Sequence, residues 1–300
     1  MSNKLLFRLA VLVAAMMCAL GIQAAEAYAC YTSSNTTLTF YYDSQRSSRP
    51  GTTYDLNTGS NYTDWDTDGT KSSVTKVVFN SSFANARPTT TFDWFYGMQK
   101  LQSITGMNYL NTSEVTNMSL MFQNCYLLTS LDLSHFNTSK VTDMGGIFSN
   151  ATSLTSLDLS SFNTSKVTNM GWMFNKCSNL RTVYVGNGWS TAAVTASTAM
   201  FSDCTSLVGG QGTTFNANYI DKTYAHIDGG PSNTGYFTAK VGGLRGDVNH
   251  DGQVNITDVT LLISMALNET GADNPAADVN GDGIINITDV TTLISLVLNN

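Results

Sequence analysis

Charge is scarce in this chain of 300 residues. Asp, Glu, Lys and Arg make up 12% of it and the formal net charge is −7, against a usual charged share of about 25%. No run of Lys or Arg interrupts that acidic balance, which excludes a basic footprint for nucleic acid. Histidine is nearly missing: His135, His226 and His250 are the only three, and none stands in a nucleophile-type setting. Glutamate is thinner still in the middle of the chain, where Glu114 is the only one between residues 95 and 207. Glycoside hydrolysis needs two carboxylates flanking a sugar bond, and the acidic residues that recur, Asp132 and Asp158, sit inside a strand motif. No catalytic residues are expected. The five cysteines include no CxxC pair and no Cys/His cluster, so a zinc site is not expected. Long apolar runs are absent too. Leu9–Leu20 is short for a membrane span of about 20 residues, and no later stretch could cross.

What Leu9–Leu20 does fit is a targeting segment. Lys4 and Arg8 precede it as a positive region, and Ala25-Glu26-Ala27 follows as a small-residue cleavage site. Residues 1–27 read as a secretory signal peptide cut after Ala27, and the protein as secreted or held at a cell surface. Ser, Thr and Asn supply the polarity that charge does not, while aromatic and aliphatic residues remain plentiful, so disorder is not indicated.

Residues 28–94 carry alternating strand patterns at 29–32, 38–43 and 74–79, around a polar loop at 44–72. The Asp64, Asp66, Asp68 run in that loop lacks a closing acidic residue and reads as a solvated turn.

A repeat dominates residues 95–207. Phenylalanines fall at 95, 122, 148, 174 and 201, leucines at 101, 128, 154, 180 and 207, and valines at 115, 141, 167 and 194. A period of about 26 residues signals stacked units that cannot bury their apolar faces alone. Leu154, Leu157 and Leu159 fit the LxxLxL pattern of leucine-rich repeats and predict a short strand. Val167, Met170, Met173, Phe174 and Cys177 recur as one face of a short helix, which Thr164 or Ser165 could cap. The expected fold is an α/β leucine-rich-repeat solenoid, a parallel strand ladder plus short helices, between β-rich caps at 28–94 and 208–240. Asn111, Asn137 and Asn163 are candidates either for a buried ladder satisfying backbone groups or for exposed turns. Cys125, Cys177 and Cys204 share one repeat position, so they are either core thiols or, for Cys177 and Cys204, a disulfide between adjacent coils.

Composition changes after a Gly-rich linker at 241–246. Residues 247–300 hold two copies of a DVNxDGxxNITDV motif, 31 residues apart. Asp247, Asn249, Asp251, Gln253 (through its carbonyl), Asn255 and Asp258 occupy positions 1, 3, 5, 7, 9 and 12 of a calcium loop, with Gly252 at the sharp turn. The second set is Asp278, Asn280, Asp282, Ile284 (carbonyl), Asn286 and Asp289, with Gly283. Short oxygen ligands at this spacing suit two calcium ions. Each loop runs into a helix, the first with Val259, Leu262, Ile263 and Leu267 on one face.

Two family resemblances rest on these motifs. LxxLDLSxFNTSKVTxMxxMF and the following VGNGWSTAAVTASTAMFSDCTSLVGGQGT resemble the BspA-like leucine-rich-repeat surface proteins of Bacteroidetes. That resemblance implies a secreted or bacterial cell-surface protein with a non-catalytic module binding a host or bacterial surface protein or glycan. The paired loops with Asp at position 12 resemble a type I dockerin, a small all-α domain with two F-hand calcium loops. It implies a cohesin-like partner recognised through loop positions 10 and 11, here Ile256, Thr257, Ile287 and Thr288, with two near-equivalent faces. Ile at position 10 departs from the Ser or Ala common in cellulosomal dockerins. Alternatives are a structural scaffold subunit or an accessory component of a polysaccharide-degrading complex.

Overall fold

The computed structural model describes residues 23–240, 246–249, 253–268, 274, 276–280 and 284–298. Residues 1–22 of the expected signal segment and 241–245 of the linker lie outside these. A cut after Ala27 would fall inside the first strand.

That strand, β1 (Glu26–Thr32), forms an antiparallel hairpin with β2 (Thr37–Asp43). A strand not expected from the sequence, β3 (Thr52–Asp55), pairs with the free edge of β1. On the other side β4 (Lys76–Phe79) runs parallel to β2, and β5 (Ser103–Thr105) parallel to β4, giving the order β3-β1-β2-β4-β5. The sheet thus changes from antiparallel to parallel between β2 and β4, ahead of the repeats. Beneath it Phe40 stacks on Phe79 at 4.7 Å and on Trp94 at 5.0 Å. The Asp64–Asp68 segment is structural: α1 (Asp64–Thr67) buries Trp65, whose Nε1 donates to the Trp94 carbonyl at 2.8 Å.

Successive repeats are hydrogen-bonded one onto the next. The five phenylalanines are buried, with ring centroids 5.5, 5.8, 5.8 and 5.5 Å apart along the column. That spacing overturns the expected helices. A helix is about 10 Å across, whereas units stacked as closely as strands, about 4.8 Å apart, leave it no room. No α-helix forms between residues 95 and 207. The N–H groups of Met144, Gly146, Phe148 and Asn150 instead donate to the carbonyls of Asn169, Gly171, Met173 and Asn175 in the next repeat, at 2.8–3.0 Å. Between them, Ile147, Ser149 and Ala151 close tight turns within the repeat. This chain of turns needs a left-handed residue at two columns: Leu120, Gly146, Trp172 and Ala199 in one, and Asn124, Asn150, Lys176 and Asp203 in the other.

The strand side is also less regular than expected. β6 (Ser156–Leu159), β7 (Thr182–Val185) and β8 (Thr238–Ala239) form a separate parallel sheet. Residues 129–133, identical in sequence to 155–159, form no strand, and nothing in their sequence accounts for it. The ladder is therefore interrupted between β5 and β6.

A buried polar column does exist, one residue from the asparagines. Thr112, Thr138 and Thr164 are buried. Their hydroxyls donate to the carbonyls of Asn137, Asn163 and Ser190 at 3.0, 2.9 and 2.7 Å and accept the N–H of the same residues at 2.8, 2.8 and 2.6 Å. Asn137 and Asn163 are exposed and accept locally from Ser139 and Ser165. The four described cysteines are free thiols. Cys125, Cys177 and Cys204 donate to the carbonyls of Phe95, Phe148 and Phe174 at 3.1, 3.0 and 2.9 Å. Burial pushes their pKa values up, that of Cys177 to about 12, so they stay protonated and unreactive.

Residues 208–240 cover the last repeat with little strand: β8, the Val208–Thr214 bridge and the Ile227–Phe237 bridge. The expected β-rich cap is mostly turns. Phe237 and Tyr236 pack edge-on against Phe201. Buried Asp228 ties the turns together, accepting from Gln211 N–H, Thr213 N–H and hydroxyl, and Gly230 N–H at 2.8–3.0 Å.

Candidate functional site

In the tail, α2 (Ile256–Asn268) and α3 (Ile287–Leu298) pack around Val248, Val259, Leu262, Val279, Val290 and Leu293, a core distinct from that of the repeats. Each helix starts on an Asn. Asn255 Oδ1 accepts from Thr257 N–H at 2.8 Å and its hydroxyl at 2.7 Å; Asn286 does the same with Thr288, at 2.7 and 2.8 Å. This is an N-cap that satisfies an orphan donor of the first turn. The position-9 side chains are therefore turned to the helix, so each would reach an ion through water, as is frequent at that position.

The closing aspartates are wholly buried. Asp258 Oδ1 accepts from Asn249 N–H at 3.0 Å and Oδ2 from Asn255 N–H at 2.9 Å. Asp289 repeats the arrangement with Asn280 and Asn286, both at 2.9 Å. Each carboxylate thus pins both ends of its loop. Asn249 Nδ2 donates to the Thr257 hydroxyl at 3.0 Å and Asn280 Nδ2 to that of Thr288 at 2.7 Å, which fixes the nitrogen end of each amide toward the helix. Asp247 is buried and Asp278 half-buried at the loop starts. Gln253 and Ile284 are exposed, and the Ile284 carbonyl accepts from Asn286 Nδ2 at 3.3 Å. Asp251 and Asp282 lie outside the described residues.

This donor set fits a hard divalent cation. Every named donor is oxygen, the class that calcium takes at 2.3–2.6 Å. Among the described residues no Lys, Arg or His pairs with buried Asp258 or Asp289. Buried charge without an opposite charge is costly, and each carboxylate oxygen retains acceptor capacity after one N–H bond.

The expected partner residues divide. Ile256 and Ile287 are each 66% exposed, whereas the Thr257 and Thr288 hydroxyls are spent inside the loops. The buried helix face is Val259 and Leu262; Ile263 and Leu267, expected on it, are 40% and 78% exposed. Together with Ile256 they form a second apolar stripe. Ile287, Ile294 and Leu298 repeat it on α3, the last at 79%. The spacing i, i+7, i+11 on helices with apolar residues on two faces is the signal that finds this stripe. No helix among the described residues is long and apolar enough to cross a membrane.

The family model for the Dockerin type I domain matches residues 245–298. A second, described as a Mycoplasma protein of unknown function, DUF285, matches residues 89–213. No curated protein shows a match. Among solved structures, a leucine-rich cell surface protein from Faecalibacterium prausnitzii A2-165 is similar at 16% identity and a TM-score of 0.34, over 62% of this chain and 53% of that one. The match thus spans about half of that protein's length. Type I dockerin domains bind calcium, which agrees with the oxygen donors of the two loops.

Proposed function

We propose that this is a non-catalytic binding protein of the secreted or cell-surface kind, a repeat solenoid that engages a protein or glycan and a tail that docks to a cohesin-type partner. The tail holds two calcium ions, one in each loop. The observation that carries this reading is the duplication of one local geometry: a buried aspartate closing each loop, an Asn cap, and an exposed isoleucine at the start of each helix. Calcium sets the loops, the loops set the helix starts, and Ile256 and Ile287 present equivalent apolar contacts. The dockerin match supports cohesin as the partner class.

The test is binding of the full chain to a panel of type I cohesins with calcium and with chelator. Binding should require calcium and should be lost in the Asp258→Ala, Asp289→Ala double variant while the repeats stay folded. Undiminished capture in chelator would sink the mechanism.

A further inference from the structure

On the face formed by the turns, the repeats carry a cleft of about 490 Å³, within the usual range for small-ligand sites. It is placed by one column. Leu120, Gly146 and Trp172 occupy the same left-handed position in three successive repeats. Gly146 leaves bare backbone as floor: a side chain there would meet Leu120 Cδ2 at 3.1 Å and Gln123 Oε1 at 3.2 Å. Trp172 forms one wall.

Neither backbone nor packing explains that tryptophan. Its φ is 55°, a region that glycine takes freely and a bulky residue rarely does. Its side chain is 53% exposed, and among the described residues it packs on no other ring, unlike the Phe148, Phe174 and Phe201 column. A bulky residue in a glycine-like conformation that leaves more than half of its surface in solvent points to a role at the surface. The groups around it are ready for a polar ligand. Asn175 and Lys176 spend no side-chain hydrogen bond on the described protein, and the buried Gln123 Oε1 lacks a partner. Asn169 is spent on the protein, its Nδ2 donating to Asp143 Oδ1 and its Oδ1 accepting from Gly171 N–H, both at 3.0 Å, while Asp143 Oδ1 also accepts from Gly145 N–H at 2.8 Å. Asp143 and Lys176 balance in charge.

We propose that this cleft binds a sugar ring of a neutral glycan. The indole offers an apolar plane to the C–H face of the ring, as amphipathic aromatic side chains do at interfaces. The amides of Asn175 and Gln123 and the Asp143 carboxylate face the hydroxyls, and the balanced charge favours an uncharged unit. This deepens the proposed function and rests on its reading of the repeats as a binding module.

The experiment is affinity electrophoresis and calorimetry of the full chain against neutral glucan, xylan, mannan and galactan, with a sulfated glycosaminoglycan as the charged arm. Trp172→Ala and Trp172→Gly are the variants, with thermal melts as controls. At least one neutral polysaccharide should bind, and both variants should weaken it ten-fold or more. Trp172→Gly should melt no lower than the parent, because glycine relieves the left-handed position. The proposal is overturned by binding of the sulfated polymer alone, by no saccharide binding, by unchanged affinity in both variants, or by a Trp172→Gly melt well below the parent. A defined protein ligand held equally by parent and Trp172→Ala, with no saccharide bound, would remove the sugar site yet leave the wider binding reading standing.

Discussion

Thr138 lies on the seam between two repeats, its hydroxyl donating to the Asn163 carbonyl at 2.9 Å and accepting the Asn163 N–H at 2.8 Å. Its neighbour Asn137 is exposed, and its side chain accepts only from Ser139. Thr138→Val keeps the shape and strands both backbone groups, so it should cost about 1–3 kcal/mol. Asn137→Ala removes a local turn bond in water and should cost less than about 1 kcal/mol. Urea unfolding of the two variants decides the matter; equal losses would return the ladder to the asparagines. The sequence shows that a polar column recurs at Asn-Thr-Ser but not which residue faces inward, because both Asn and Thr repeat at the same period. A one-residue slip in an extended segment exchanges inside for outside; of the two readings open for the asparagines, the exposed turn holds at Asn137 and Asn163, and the buried column is the threonine one residue on.

The elements raise the converse problem: the columns were legible and the backbone was not. Val, Met, Phe and Cys at Val167, Met170, Met173, Phe174 and Cys177 are buried as expected, yet the segment is a chain of turns. Apolar spacing of three and four suits either, and the tie is broken by the stacking distance, which no single repeat contains. Ala199 distinguishes the two. Its φ is 53°, so Ala199→Gly should stabilise by about 0.5–1 kcal/mol, whereas in a helix it would cost about 1 kcal/mol. The sign of the change in a denaturant midpoint is the measurement. In the column beneath, Phe174→Ala should cost about 3–5 kcal/mol, since the ring lies between Phe148 and Phe201 at 5.8 and 5.5 Å. The tail was read more fully because its motif names its own chemistry: Asp258 and Asp289 stand where a loop-closing carboxylate must. Ile263 and Leu267 were assigned to the wrong face because the helix is apolar on two sides.

For the molecule as a whole, a stack of repeats depends on its ends, and each end is tied by an acid. Burial alone would raise the pKa of Asp228, but the hydrogen bonds from Thr213, Gly230 and Gln211 outweigh it and hold the carboxyl below its ordinary value. Asp43 behaves alike: burial is outweighed by Gln45 N–H, the Tyr28 hydroxyl and Arg49. A folded pKa below the unfolded one means the unfolded chain binds the proton first. The stability these groups contribute is therefore present above the ordinary carboxylate value, about 3.9, and is lost as pH falls through the lower folded value. The column between the ends is made of Phe rings, Thr hydroxyls and backbone, none of which titrates there; of the carboxyls beside it that also sit low, Asp132 is held by its neighbour Ser134, and at Asp158 burial is outweighed by Lys240 of the C-terminal end and by Ser160. Acid should accordingly open the protein from its ends. In hydrogen exchange near pH 3, amides of residues 26–55 and 208–240 should lose protection before those of 141–177. Asp228→Asn should flatten the acid limb of the C-terminal end alone. Loss of protection starting in the central repeats would show that the stack, and not its two capping carboxylates, sets the acid stability.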